Sequence, residues 1–354
     1  MPTTAPDPAK MEAFAERFSA DVAATLHAAT VVVGDKLGLY AALADGGPQT
    51  PAQLAEATGC QPRLIEEWVN AQAASGYCDY DPATGRFLLN PEQAACLADP
   101  TSPAFLTGGM TVASAGHKVE ERLRAAFTGD GGLGWHEHDT DLFDGTDRFF
   151  GARYAGSLVG DWIPALDDVE RRLQDGARVA DVACGHGAST ILLAQAFPAS
   201  TFCGFDYHGP SIEAARKAAA EAGVSDRVTF EVASADEFPG DYDLVCMLNA
   251  FHEMGDPTRV ATRIADALDH DGTWLLVEPR AGDRPEDNHT PVGRTFYSAS
   301  TLFCVPNALS QDAERALGAQ AGEARLQALV QDAGFSHFRR AAETPFMVAW
   351  EVRR

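Results

Sequence analysis

Short apolar runs and longer amphipathic segments follow one another in turn along the second half of the chain. Short apolar runs are typical of buried strands, and the amphipathic segments between them are typical of helices. Because the two kinds of segment alternate, we expect an α/β fold, a doubly wound Rossmann-like sheet of seven strands, of which the first five follow this alternation. The strands are predicted at residues 178–183, 201–206, 228–232, 243–249 and 273–278, with helices beginning near Ala188, Ser211 and Pro257.

The C-terminal end of the chain departs from this alternation. A helix over residues 322–333 is followed by two closely spaced apolar runs, at residues 336–340 and 346–352. Two strands joined by so short a link pair antiparallel, since a parallel pair needs a crossover of a dozen residues or more. We therefore expect the last strand of the sheet to be antiparallel.

The first hundred residues are predicted to be mostly helical. Thr50 and Pro51 provide an N-cap and a proline at the first helical position, and Gly59 ends that helix. A second helix over residues 63–75 and a hairpin over residues 77–89 follow. This order of helix, turn, helix and hairpin predicts a winged-helix-like domain.

A further helical stretch separates this region from the α/β part. It contains a glycine-rich break at residues 128–134 and a polar, aromatic run at residues 135–139. Such a break suits a mobile cover over a pocket, and a plain loop is the alternative interpretation. We divide the chain into a winged-helix-like or dimerisation domain, a helical linker and lid region, and a cofactor-binding α/β domain, at residues 1–100, 101–175 and 176–354.

Composition and charge narrow the choice of partners. The 354 residues carry a formal net charge of −24, which repels a phosphate backbone. Between Pro51 and Tyr80 the only basic residue is Arg63. We therefore expect no nucleic-acid partner, although the winged-helix layout by itself is typical of DNA binding.

Cysteine usage and hydropathy bear on the compartment. The seven cysteines are scattered and form no C-x-x-C pair, which favours reduced thiols. Residues 1–10 contain no basic stretch followed by an apolar one, and the apolar stretch 23–43 is interrupted by Asp35 and Lys36. We expect a cytoplasmic protein with no membrane partner.

Candidate chemistry begins at the first strand of the α/β part. Asp181, Gly185 and Gly187 form the pattern D-x-x-x-G-x-G between a buried strand and a helix start, and Asp206 ends the next apolar run. A carboxylate at that strand end binds the ribose of a nucleotide cofactor. A dinucleotide fingerprint requires a third glycine, but Thr190 occupies that position. The sequence predicts a nucleotide-cofactor pocket of another kind.

The pattern resembles the first motif of class I methyltransferases that use S-adenosylmethionine (SAM). The resemblance implies that the glycines admit the methionine part of SAM and that Asp206 holds its ribose. Ala183 stands where the family often carries another glycine. Asp236 matches a position that meets adenine, with a turn cap as the alternative, and Tyr207 either packs on adenine or lies at the surface. The cofactor-binding residues implied are Asp181, Ala183, Gly185, Gly187, Asp206, Tyr207, Ala235, Asp236 and Asn249.

A histidine follows the fourth strand, where the methyl group of SAM would point. His252 and Glu253 resemble the His-Asp pair of plant-type and bacterial O-methyltransferases, with Glu253 in place of the aspartate. The resemblance implies that these two residues are catalytic and that His252 is the general base. An imidazole with a pKa near 6.5 is mostly free base at neutral pH. The alternative is a histidine hydrogen-bonded within a capping loop.

Several segments together look like an actinobacterial-type group of SAM methyltransferases with a winged-helix-like N-terminal region. The resemblance implies an enzyme that methylates a small-molecule acceptor, most readily on oxygen, and a homodimer formed through the N-terminal helices. The long link over residues 280–321 is expected to shape the acceptor pocket. The segments that carry the resemblance are residues 184–190, 205–208, 252–257, 291–294 and 317–323.

Two alternatives stay open. One is a metal-assisted C-methyltransferase of an α-keto acid, in which His252, Glu253 and Cys304 would hold the ion. We predict no metal, because a cysteine stands where a histidine is expected. The other is a SAM-responsive winged-helix regulator without catalysis.

Overall fold

The computed structural model describes residues 5–129, 131–311, 313 and 316–354. The chain divides into two compact units, Met1–Ser114 and Ala115–Arg354. The division into three regions at residues 100 and 175 stays a prediction. Residues 1–4 of the predicted first domain and Asp130 of the predicted glycine-rich break lie outside the described residues.

The first unit contains the predicted helices and hairpin. The Thr50 side chain accepts a hydrogen bond from the Gln53 amide, and the Gln53 side chain accepts one from the Thr50 amide, so the two residues form a capping box. Gly59 ends the same helix with a φ of 67°. The elements that begin before the unit boundary are α1 (Pro8–Lys36), α2 (Leu39–Asp45), α3 (Pro51–Thr58), α4 (Pro62–Ala74), β1 (Asp79–Asp81), β2 (Arg86–Leu88), α5 (Pro91–Leu97) and α6 (Thr107–His117).

Among the described residues, no single helix combines the length and the hydropathy that a bilayer crossing requires. Helices α1 and α2 meet the criterion only when they are counted together across a bend of 67°.

The second unit is built on a seven-stranded sheet. Its strands are β3 (Arg178–Val182), β4 (Thr201–Asp206), β5 (Val228–Val232), β6 (Tyr242–Leu248), β7 (Leu268–Pro279), β8 (His337–Glu343) and β9 (Met347–Arg353). Its helices are α7 (Glu120–Thr128), α8 (Thr140–Ser157), α9 (Val169–Asp175), α10 (Ala188–Ala196), α11 (Gly209–Glu221), α12 (Pro257–Ala267), α13 (Pro291–Ala299), α14 (Val305–Leu309) and α15 (Glu323–Asp332).

The strand order is β5-β4-β3-β6-β7-β9-β8. Strands β3 to β7 are parallel, and β9 pairs antiparallel with both β7 and β8. The predicted doubly wound sheet and its antiparallel end are therefore confirmed. The order reverses at β3, because β4 lies on one side of it and β6 on the other, and ligands of such sheets bind in the crevice at this reversal.

Alternate residues of the central strands face two separate apolar cores, as the strand period of two requires. Val179 and Leu244 pack on one side with residues of α8, α10 and α11. Ala180 and Val245 pack on the other side with residues of α12 and α15. The sheet is thus covered on both faces, and its functional groups lie at the carboxyl ends of the strands.

The link between β7 and α15 contains helical segments that the sequence analysis did not predict. It contains α13 and α14, together with a 3-10 turn at Pro285–Asn288 and a π-helical turn at Ser300–Cys304. The apolar pattern did not predict these helices, since each is short and interrupted by polar residues.

Replacing Gly187 with alanine tests how tightly the glycine turn is packed. A Cβ atom there would lie 2.6 Å from the Phe230 ring, and the φ of 80° is strained for an L residue. We expect G187A to lower the thermal midpoint by about 4–8 °C, from about 2 kcal/mol of clash and strain. Gly209 has open space and an ordinary φ, so G209A is the matched control. Equal midpoints for the two variants in differential scanning calorimetry would contradict this account.

Candidate active site

The loop between β3 and α10 has a left-handed backbone at three positions. The φ angles are 59° at Ala183, 55° at Gly185 and 80° at Gly187. A left-handed conformation costs an L residue about 1–2 kcal/mol, so Ala183 carries strain that a glycine would not. Apart from its two neighbours in the chain, no described residue has a heavy atom within 4 Å of a Cβ placed at Gly185. The backbone of Gly185 therefore borders open space, as a cofactor cradle requires.

Asp181 lies beneath this loop, almost fully buried. Its Oδ2 atom accepts hydrogen bonds of 2.6 Å from both Ser189 and Thr190, which begin helix α10. Burial raises the pKa of Asp181 to about 6, and the two hydroxyl groups offset part of that rise. The structure thus gives Asp181 a supporting position below the loop, and its predicted contact with the cofactor stays a prediction.

Asp206 stands at the end of β4, beside the loop. Its carboxylate accepts hydrogen bonds from the amides of Gly185, at 3.0 Å, and His208, at 2.9 Å. Burial raises the pKa of Asp206, while these two amides lower it. The carboxylate is held at the crevice by two backbone donors and keeps further lone pairs for a ribose diol.

The predicted adenine-side residues lie in three different environments. Tyr207 is 45% exposed, and its ring meets the edge of His136 with centroids 6.1 Å apart. Asp236 forms an ion pair with Arg259 at 2.9 Å. Ala235 packs against the core on the α12 side. Their contacts with adenine stay predictions.

Asn249 follows β6 in a left-handed conformation, with a φ of 55°. Its Nδ2 atom donates to the Tyr154 hydroxyl at 3.2 Å. Its Oδ1 atom is buried and has no hydrogen-bond partner among the described residues. A hydrogen-bond acceptor that no described residue satisfies fits a bound group that donates to it, such as the ammonium of an amino acid moiety.

His252 forms the shortest hydrogen bond at this edge of the sheet. Its Nδ1 atom lies 2.5 Å from Glu278 Oε2, and both side chains are almost fully buried. The other oxygen of Glu278 accepts from the Phe251 amide at 2.9 Å. A carboxylate at Nδ1 holds the proton on that nitrogen and leaves the Nε2 lone pair free to act as a base.

The charges around His252 set its basicity. Burial lowers the pKa of His252, but the charge and hydrogen bond of Glu278 and the charge of Glu253 raise it by more, so the net pKa lies above its usual value. For the Glu253 carboxyl, burial raises the pKa. The charge of His252 and the hydrogen bonds from Cys304 and Asn307 offset part of that rise. The pair of carboxylates makes His252 a stronger base than a solvated histidine.

Glu253 and Cys304 lie on the opposite side of the imidazole. The His252 Nε2 atom is 3.7 Å from Glu253 Oε1, which is too long for a hydrogen bond. One ligand atom from each of His252, Glu253 and Cys304 lies within 4.8 Å of the other two. Imidazole, carboxylate and thiolate together suit zinc or another transition ion, so the geometry keeps the metal alternative open.

Two residues of this site were not predicted. Glu278 ends the fifth apolar run as Asp206 ends the second, and that parallel is the signal that would have pointed to it. Asn307 reaches Glu253 from α14, in the link whose helices the pattern did not reveal. No spacing in the sequence indicates that contact.

Two family models match the chain. A methyltransferase domain matches residues 173–334, and an Rv2258c-like winged HTH domain matches residues 24–99. The chain is a class I SAM-dependent methyltransferase. The predicted winged-helix-like N-terminal domain is confirmed with it, and SAM is the cofactor, for which the glycine loop, Asp206 and the open acceptor of Asn249 are suited.

Proteins similar to this methyltransferase act on small molecules. The 27-O-demethylrifamycin SV methyltransferase of Amycolatopsis mediterranei is 26% identical over 212 residues, which are 56% of this chain and 69% of that protein. The mitomycin biosynthesis 6-O-methyltransferase of Streptomyces lavendulae is 25% identical over 290 residues, 78% and 77% of the two chains. The structure of human N-acetylserotonin methyltransferase with SAM has the same fold, with a TM-score of 0.70 at 17% identity over 99% of each chain.

Replacing Glu278 with glutamine tests the electrostatics of the methyltransferase site. Loss of the carboxylate charge lowers the pKa of His252, and activity that needs neutral His252 is lost as pH falls through that pKa. The acidic limb of the pH–rate profile should therefore move to lower pH, and the plateau should fall by about 10²-fold or more. Glu343, exposed and paired with Arg340, gives the control E343Q. An acidic limb unmoved in E278Q would show that Glu278 does not act on the base.

Proposed function

We propose that the protein methylates a hydroxyl group of a small-molecule acceptor, with His252 as the general base. The observation that carries the proposal is the buried His252–Glu278 hydrogen bond at the carboxyl edge of the sheet. It fixes one ring nitrogen as a donor and leaves the other as a base beside the cofactor crevice.

SAM, His252 and Glu278 have separate roles in the proposed reaction. When bound, SAM supplies an electrophilic methyl group on a sulfonium. Nε2 of His252 takes the proton of the acceptor hydroxyl as its oxygen attacks, and Glu278 stabilises the imidazolium that forms. A positioned base contributes about 10²–10⁴-fold, and holding the reactants aligned contributes about 7–11 kcal/mol.

Transfer to oxygen is supported by the relatives. The rifamycin and mitomycin enzymes named above both carry an oxygen position in their names. A hydroxyl acceptor also needs a base, for which we propose His252, whereas a carboxylate acceptor would not. We therefore propose a phenol or enol as the acceptor group.

Metal-assisted C-methylation of an α-keto acid is the second candidate. The observation that favours it is the grouping of ligand atoms from His252, Glu253 and Cys304 within 4.8 Å. In that case Nε2 of His252 would be a metal ligand and not a base. Metal content and sensitivity to chelators separate the two candidates.

We further propose that two copies assemble through α1. This helix leaves an apolar stripe exposed, with Phe14 at 66%, Phe18 at 60% and Leu26 at 69%. The rings of Phe14 and Phe18 lie stacked, 6.3 Å apart. Contiguous exposed apolar side chains on a long helix are typical of a protein interface.

DNA does not suit the winged-helix-like domain as a partner. Arg63, the one basic residue of α4, forms ion pairs with Glu66 and Glu67 on the same helix. The helix that would enter a DNA groove is thus acidic overall, and we propose that this domain serves assembly. The net charge and the seven free thiols support a cytoplasmic enzyme.

Replacing His252 with alanine tests the proposed base. With any phenolic acceptor that the enzyme uses, we expect the conversion of SAM to S-adenosylhomocysteine (SAH) to slow by about 10²-fold or more, with SAH affinity in calorimetry unchanged. His270 is almost fully exposed, so H270A is the matched control. A rate within a few fold of the parent would contradict the base. A stoichiometric metal in the purified protein, with activity lost to EDTA, would favour the second candidate.

Replacing Phe18 with aspartate tests the assembly. A buried Phe contributes about 1.5–3 kcal/mol, so its loss from both copies should weaken dimerisation by about 10²-fold or more. Light scattering after size exclusion should show the mass of two chains for the parent and of one chain for F18D. Leu64 on α4 is also exposed, at 69%, and L64D should stay dimeric. A monomeric parent chain would contradict the proposal.

A further inference from the structure

Residues 131–138, which we call the cover segment, pack on the helical link that follows β7. The Leu133 amide donates to the Pro306 carbonyl at 2.9 Å, and the Trp135 amide donates to Asn307 Oδ1 at 3.0 Å. A Cβ atom at Gly132 would lie 2.0 Å from the Pro306 carbonyl oxygen. The cover segment therefore docks directly on α14, in contact that only a glycine permits.

The surface under the cover segment belongs to the catalytic site. Asn307, which accepts from the Trp135 amide, also hydrogen-bonds through its side chain to Glu253. Cys304, one turn earlier, hydrogen-bonds to the same carboxylate. The Asn307 side chain thus connects the docked cover segment to Glu253, which lies beside His252.

The side chain of His138, at the end of the cover segment, is buried, and its ring forms no hydrogen bond with any described residue. It is 8% exposed, and neither Nδ1 nor Nε2 has a partner among the described residues. Its ring packs edge-on against Phe303, with centroids 5.4 Å apart, and lies 6.3 Å from the Trp135 ring. Buried polar groups are nearly always paired, so two unpaired ring nitrogens call for an explanation.

The protonation state of His138 defines what it can bind. Burial lowers the pKa of His138 to about 4, with a further decrease from Arg122 and a small opposing effect from Glu137. The ring is therefore neutral at physiological pH and offers one N–H donor and one nitrogen acceptor. A partner that both donates and accepts, such as a hydroxyl group, satisfies either nitrogen.

We propose that His138 recognises the acceptor, by a hydrogen bond to a second oxygen function of an aromatic acceptor whose hydroxyl group is methylated. The aromatic rings of Phe303 and Trp135 beside His138 suit a planar ligand. This inference rests on the proposed O-methyltransferase function and names its substrate class: aromatic compounds that carry a second oxygen function.

The unpaired state of His138 also makes closure depend on the acceptor. Both nitrogens are sealed in the docked cover segment, so an acceptor enters when the segment lifts and binds as it docks again. In the empty protein, docking removes the ring from water and gives it no partner. An acceptor that supplies the partner removes this penalty and shifts the population toward the docked state.

Replacing His138 with phenylalanine tests this inference without an acceptor. Phenylalanine fills the same space and has no polar atom to satisfy, so the docked state of the empty protein should become more populated. Hydrogen exchange of the amides at residues 131–138 should slow by about five-fold or more in H138F, and its thermal midpoint should not fall. His136 lies on the same segment but is exposed, so H136F should exchange as the parent does.

A second arm uses catechol as a probe, with SAH at saturation. Catechol should slow exchange of the cover segment in the parent protein and have no such effect in H138F. Faster exchange and a lower midpoint in H138F would show a structural role for His138, and equal protection of both proteins would show that the ring does not meet the ligand. Either result overturns the inference. Absence of methyl transfer to every phenol would instead contradict the proposed function and leave the exchange results unaffected.

Discussion

The hydrogen bond between His252 and Glu278 depends on the parallel pairing of two central strands. Strands β6 and β7 lie in register, with Leu248 opposite Val277, so Glu278 ends β7 beside the turn that follows β6. That turn passes through Asn249 in a left-handed conformation and brings His252 back over the strand ends. A slip of one residue in this register would turn Glu278 to the other face of the sheet. The chemistry of the site is therefore set by the sheet.

Burial makes this pair effective and also costly. Both side chains are excluded from water. An unpaired charge in such a buried position would be strongly destabilising. Each carboxylate oxygen of Glu278 has a donor, from His252 on one side and from the Phe251 amide on the other. On the far side of the ring, Glu253 has donors from Cys304 and Asn307. The link after β7 thus completes the site, and the cover segment docks on the same helix.

Much of this arrangement could be predicted from the sequence. The apolar runs predict the strands to within one or two residues for most of the sheet, and the glycine turn and Asp206 predict the crevice, because both signals are local. The sequence also singled out Ala183, as an alanine where the family often carries a glycine, and the structure gives it a left-handed backbone. Glu278 and Asn307 were not predicted, since their roles come from contacts between segments distant in the chain. Helices α13 and α14 were missed because their short, mixed patterns indicate no single element.

The central claim is that Glu278 acts through His252, and a double-mutant cycle on methyl transfer tests it most directly. The rates to compare are those of the parent, H252A, E278A and the double variant, with one phenolic acceptor at saturating SAM. Residues that act as a unit have non-additive effects. The account predicts that the double variant is about as slow as H252A alone. Losses that multiply in the double variant would show two independent contributions and would contradict it.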